Sequence, residues 1–220
     1  YSIGAGEFFK IMALPFAAAF VLILAVCLFV RPQPASVQTG PKARPPLWRV
    51  AAYTALFALS VLIVFRVFPY YWGLLAVAAA LLVLDFRALL HVDYGLLLTF
   101  CAFFVFSGNL ARIPAVEEWL GGLIALDPLA FGVLSCQFIS NVPSAVLLSK
   151  FTGDYAGLLV AVNIGGLGTP IASLASLITL NTYRLVRPGE TKRYLARFLL
   201  LNFAFLAVLL GVGYLNALFV

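Results

Sequence analysis

The chain has 220 residues, of which 64% are hydrophobic and only 10% charged. That leaves too few charged side chains to cover a water-soluble globule and places the chain among all-α polytopic membrane proteins. The net charge of +6 does not mark a nucleic-acid binder, because its distribution follows membrane sidedness instead.

Cys27, Cys101 and Cys136 stand singly in apolar segments, so the sequence carries no disulfide framework and no paired-cysteine metal motif. His91 is the only histidine, which leaves no nucleophile–base pair of the kind a membrane protease needs. The acids are scattered rather than clustered for magnesium. No enzyme is expected.

In chain order, residues 8–30 are apolar and long enough to span with some tilt, with Pro15 as a tolerated kink. The segment RPQPASVQTGPKARPPLWR, 31–49, is rich in proline and basic residues and reads as a loop. A second span covers 50–65 and leads through Arg66 to Tyr70, Tyr71 and Trp72, an aromatic group suited to headgroup depth. The third, 73–84, is short and alanine-rich, and Asp85, Arg87, His91 and Asp93 come after it. The fourth is 94–110. After it, IPAVEEWLGGLIAL carries Glu117 and Glu118 beside Trp119 and reads as a short interfacial helix.

The stretch 127–183 is apolar enough for a bilayer yet is interrupted twice. The first interruption is Ser140-Asn141-Val142-Pro143, a polar pair and a proline between apolar flanks. The second is Asn163-Ile164-Gly165-Gly166-Leu167-Gly168-Thr169-Pro170, which cannot continue as a regular helix, since glycine costs about 1 and proline about 3 kcal/mol against alanine. Irregular backbone at membrane depth persists only where protein buries it or it lines a wet cavity.

Lengths sharpen the reading. A helix over 129–139 would be roughly 16 Å long, about half of a hydrocarbon core of about 30 Å. Residues 128–151 therefore read as a re-entrant hairpin with Ser140 and Asn141 at its tip. A straight helix over 155–182 would be roughly 42 Å long, and a break at 165–170 resolves the excess into two half-helices. The second is expected to begin near Thr169 and Pro170, with free N–H groups that attract an anion. Freed carbonyls, with the oxygens of Ser140 and Asn141, would suit a small cation. Ser173 extends the site by a turn. A basic loop, 184–197, and a last span, 198–220, complete the chain.

With 31–49 placed in the cytoplasm, ten basic residues fall inside and four outside, the bias expected of a correctly oriented membrane protein. The C-terminus is then outside. This count requires 128–151 to re-enter rather than cross.

The motif residues resemble those of the ion transporter superfamily, which includes divalent-anion/sodium symporters, citrate transporters, arsenite permeases and NhaD-type sodium/proton antiporters. The likeness is strongest from Val92-Asp93-Tyr94-Gly95-Leu96-Leu97-Leu98 through the tip to Gly168-Thr169-Pro170-Ile171-Ala172-Ser173. The resemblance implies one of two inverted repeats, the C-terminal one, with a re-entrant hairpin and a discontinuous helix. Residues 1–93 would be scaffold helices and 94–220 the transport-site portion. The dicarboxylate branch carries Ser-Asn-Thr at the tip, whereas Val142 and Pro143 come after Asn141 here, closer to arsenite and NhaD-type members.

The implied function is secondary active transport of a small anion, an inorganic oxyanion or a carboxylate, coupled to sodium or protons. The alternatives are NhaD-type antiport and, in a different class, a channel. The site residues implied are Ser140, Asn141, Val142, Pro143, Asn163, Gly165, Gly168, Thr169, Pro170 and Ser173, with Ser140, Asn141 and Gly168 as a sodium site. Expected partners are membrane lipid, a small-anion substrate, a missing first repeat of the same protein and a second copy of the chain. A bacterial plasma membrane is the expected location. Because Tyr1 is not a methionine and no basic leader precedes the first span, the chain is expected to be part of a longer protein.

Overall fold

A computed structural model describes residues 1, 3–30, 46–65 and 67–219. All regular structure among them is helical, and the chain is an all-α membrane protein. Most of the 31–49 loop, and Arg66, lie outside the described residues. The chain forms two compact units, one of residues 1–31 with 96–220 and one of 32–95.

The smaller unit holds α2 (Leu47–Val64), α3 (Tyr70–Leu84) and the short α4 (Phe86–Leu90). Gly73 lets α3 close on α2, because a Cβ there would collide with the Ile63 side chain. Asp85 starts α4 by accepting from the Ala88 N–H at 3.2 Å, and Tyr53 of α2 donates to the same carboxylate at 3.2 Å. Helix α4 lies in the stretch between the third and fourth spans, where the sequence reading singled out Asp85, Arg87, His91 and Asp93 and expected no helix.

The larger unit begins with α1 (Ala5–Phe29) and continues through α5 (Tyr94–Leu110), α6 (Pro114–Leu126), α7 (Pro128–Ile139), α8 (Asn141–Leu148), α9 (Tyr155–Ile164), α10 (Leu174–Val186) and α11 (Thr191–Asn216). Helices α5 and α6 meet at 100°. Acidic caps open the key helices. Asp127 accepts from Ala130 N–H at 2.9 Å, with Pro128 in the first turn of α7, and Asp154 accepts from Gly157 N–H at 2.8 Å at the start of α9. Such caps satisfy helix N–H groups that would otherwise lack partners.

Only α1, α2 and the segment Pro188–Asn216 are, among the described residues, both long and apolar enough to cross a membrane unaided. Helices α7 and α9, of 12 and 10 residues, reach roughly 18 and 15 Å, about half of a hydrocarbon core of about 30 Å. Their ends meet inside protein. Ile11, Leu129, Val133, Val160, Ala161, Ile164, Leu206 and Leu209 form a core joining α1, α7, α9 and α11. A second cluster, Ile124, Cys136, Leu148, Leu158 and Val162, packs α6 and α8 onto the same two half-length helices. Phe9, Phe16 and Phe20 on α1 stay exposed, as apolar side chains do when the solvent is lipid.

Two boundaries differ from the sequence expectation. The half-helix after the break starts at Leu174, not at Thr169, because Pro170–Ala172 closes a single 3-10 turn and Ser173 is extended at φ −141°. The final helix starts at Thr191 rather than near residue 198. Lys192, Arg193 and Arg197 are thus helical, consistent with the good helix propensity of lysine and arginine.

Candidate functional site

Helix α7 enters from Asp127, ends at Ile139, and α8 turns back from Asn141. The turn between them is one residue, Ser140, at φ 71°, ψ 157°, and no other non-glycine described residue has positive φ. That region of backbone space is almost exclusive to glycine and costs about 1–3 kcal/mol for other residues. The strain is held by flanking bonds: Ser140 N–H to Cys136 O at 3.1 Å, and Ser144 N–H to Ser140 O at 3.1 Å. Lower in the hairpin, the hydroxyls of Ser135 and Ser144 pair at 3.0 Å, with Ser144 fully buried.

The break in the next helix lies directly against this tip. Gln137, three residues before Ser140, bridges the two. Its Nε2 donates to Gly165 O at 3.0 Å and Leu167 O at 2.9 Å, and lies 3.3 Å from Val133 O in its own helix. Its Oε1 accepts from Thr169 N–H at 2.9 Å, while the Thr169 hydroxyl donates back to Gln137 O at 3.1 Å. One side chain therefore serves both the carbonyls and an N–H of unwound backbone that would otherwise stand without partners.

Glycines allow this closeness. Gly168 has φ 104°, and a Cβ there would run into the Gln137 carboxamide. A Cβ on Gly165 would lie 2.9 Å from Cys136 Sγ, and one on Gly132 would lie 2.6 Å from Ala161 Cβ. The hairpin and α9 are in backbone-close contact along their length.

The structure brings Ser140, Asn141, Gly165, Gly168, Thr169, Pro170 and Ser173 into one region. Ser140 Oγ reaches Ala172 O at 3.4 Å, and Asn141 Nδ2 lies 3.2 Å from where a Cβ on Gly166 would be. Asn163 is exposed and its amide bonds Leu159 O, one turn back in α9, at 2.8 Å. Val142 is exposed, and Pro143 is buried on the back of the hairpin. There it lines an apolar cavity of about 420 Å³ with Ile139, Leu147, Phe106 and Trp119. The Thr169 N–H, expected to be open to an anion, is instead bonded to Gln137.

Gln137 escaped the sequence reading. Its signal was present: it is the one amide in the run PLAFGVLSCQFI, and a polar side chain inside a membrane segment needs a partner. That partner is 28 to 32 residues away, beyond the reach of local pattern.

No family model matches the chain, and no solved structure matches it. Two curated proteins do. The chain is 37% identical over 146 residues to the inner membrane protein YbiR of Escherichia coli K12, a match covering 65% of this chain and 38% of that protein. It is 36% identical over 128 residues to the uncharacterized transporter MJ0456 of Methanocaldococcus jannaschii, covering 58% of this chain and 35% of that one. The matches span little more than a third of the length of either relative, and both relatives agree with the helices in making this chain an integral membrane protein.

Proposed function

We propose that this chain is the C-terminal repeat of a secondary active carrier of the ion transporter type, moving a small anion across a bacterial plasma membrane. The observation that carries the reading is the meeting of a strained hairpin tip at Ser140 with a helix break at 165–173, both at the ends of helices too short to span. Scaffolds have no use for two costly interruptions placed against each other. Carriers do, because interrupted helices present dipole ends and backbone groups to a solute at mid-membrane. The name of the MJ0456 relative is consistent with this reading.

In this reading Asn141 and the N-terminal end of α10, from Ser173 onward, face the anion. The oxygens of Ser140 and Asn141, with the Gly168 carbonyl, face a coupling sodium ion, or a proton relay takes its place. A first repeat of the full-length protein supplies the opposing half of the site.

The asparagine–hydrophobic–proline tip favours a second reading, sodium/proton antiport of the NhaD type. Full-length protein in proteoliposomes separates these. Concentrative uptake of an oxyanion or carboxylate on imposing a sodium or proton gradient is the expected result. Sodium efflux driven by protons, with no anion uptake, supports the antiporter. Passive equilibration alone indicates a channel and rejects both.

A further inference from the structure

We infer that the Gln137 carboxamide is a resident substitute for a cation at the helix break. The inference deepens the carrier reading and rests on it only for its consequence, the identity of the coupling ion. Three carbonyl oxygens, from Val133, Gly165 and Leu167, converge on a single point 2.9–3.3 Å away from each, and that point is Gln137 Nε2. Two of the three, Gly165 and Leu167, belong to the break after α9, and converging carbonyls of unwound helix are the ordinary means of holding sodium in a membrane carrier. Here their negative ends are met by the partial positive charge of an amide NH₂ fixed to the protein.

The other end of the same group fixes its orientation. Oε1 accepts from Thr169 N–H at 2.9 Å, so the nitrogen must face the carbonyls. A flipped amide would set oxygen against three oxygens and NH₂ against N–H. Gly168, at φ 104°, has no room for a Cβ beside the carboxamide, so the backbone of the break lies directly against it. The position is occupied by covalent tether, in every state in which the hairpin and the break stay together. The Gly165 and Leu167 carbonyls therefore take up no ion during transport, and any coupling cation is left to other oxygens of the region, such as those of Ser140 and Asn141.

Gln137→Glu tests this. One carboxylate oxygen can keep the Thr169 N–H, while the other faces three carbonyls and requires a cation or a proton between them. Purified full-length protein is unfolded thermally at pH 8 with 1 or 300 mM sodium, choline keeping ionic strength constant. Sodium bound only by the folded state raises the midpoint. The expected result is a sodium-dependent rise in Q137E exceeding that of wild type by at least about 3 °C. Lowering the pH to 5.5 should stabilise Q137E in the absence of sodium, since a protonated carboxyl donates as the amide did. Gln137→Ala, which vacates the nitrogen's place, should gain the same sodium dependence and stands in if Q137E does not accumulate. Any sodium site elsewhere is common to all the proteins and cancels in the comparison.

A sodium response identical in wild type and both variants overturns the inference. So does failure of both variants to accumulate in cells and buffers rich in sodium. The measurement needs no transport, so a wild-type protein that fails to carry anions refutes the carrier while leaving this result standing.

Discussion

The side-chain amide of Asn216, near the end of the last helix, donates to the backbone carbonyl of Ile11 at 3.0 Å, and both residues are buried. Ile11 O is the acceptor that residue 15 would serve in a regular helix, and residue 15 is a proline, which has no N–H. Asn216 therefore repairs the hydrogen bond that Pro15 removes. Asn216→Ala should cost about 1–3 kcal/mol, the penalty of a buried unsatisfied carbonyl. In a Pro15→Ala background the helix serves its own carbonyl and the cost should shrink. A double-mutant cycle on thermal unfolding reads the difference; equal costs in the two backgrounds would show that Asn216 acts elsewhere.

Ser140 should trade stability against activity. Ser140→Gly removes backbone strain and should raise the unfolding midpoint, by the equivalent of up to about 1–2 kcal/mol. It also removes the tip hydroxyl, so transport by the full-length protein should fall. Ser140→Val keeps the strain and adds a β-branch, and should accumulate poorly. A valine variant as stable as wild type would contradict the observed φ.

Packing of the hairpin on α9 should behave as a steric couple. Gly132→Ala places a methyl 2.6 Å from Ala161 Cβ and should cost about 1–3 kcal/mol. Adding Ala161→Gly removes the colliding methyl and should recover much of the loss. If the double variant is no better than G132A alone, the collision is not the cause.

For the site itself, Asn141→Ala should weaken substrate or ion dependence by about 5- to 150-fold, the equivalent of about 1–3 kcal/mol. Thr179→Ala is the control, because the Thr179 hydroxyl is engaged with Ala175 O in its own helix at 2.8 Å. An altered concentration dependence in the threonine variant with none in the asparagine variant would move the site away from the tip.

Sidedness is tested by single cysteines in a cysteine-free background. Gly153→Cys and Gly189→Cys both enter open space. An impermeant thiol reagent added to whole cells should label the first and spare the second. Labelling at 189 would mean that the hairpin crosses the membrane completely.

The interruptions themselves were legible because they violate local rules. Ser140-Asn141 and the glycines before Pro170 stand out from apolar sequence on propensity alone, and 94–110 was bounded as it is observed. The backbone just beyond the break was not legible. Thr169-Pro170 looks like a helix start, but the Thr169 N–H is drawn to Gln137, and the helix begins only after an extended Ser173. The charges of 191–197 looked like loop, although long basic side chains extend toward the membrane surface from within a helix. The Gln137 and Asn216 bonds join residues up to 205 apart in sequence and leave no periodic trace.

The pairing of α1 with α11 has a consequence for biogenesis. Helix α1 leaves the ribosome well before α11, yet its buried partners include Leu206, Leu209 and Asn216. Until the ribosome has delivered those residues, Ile11 and Pro15 face lipid or an insertion chaperone, with the Ile11 carbonyl unserved. Translation arrested before residue 206 should therefore leave α1 laterally mobile and open to crosslinking with the translocon, and delivery of α11 should end that exposure in a single step.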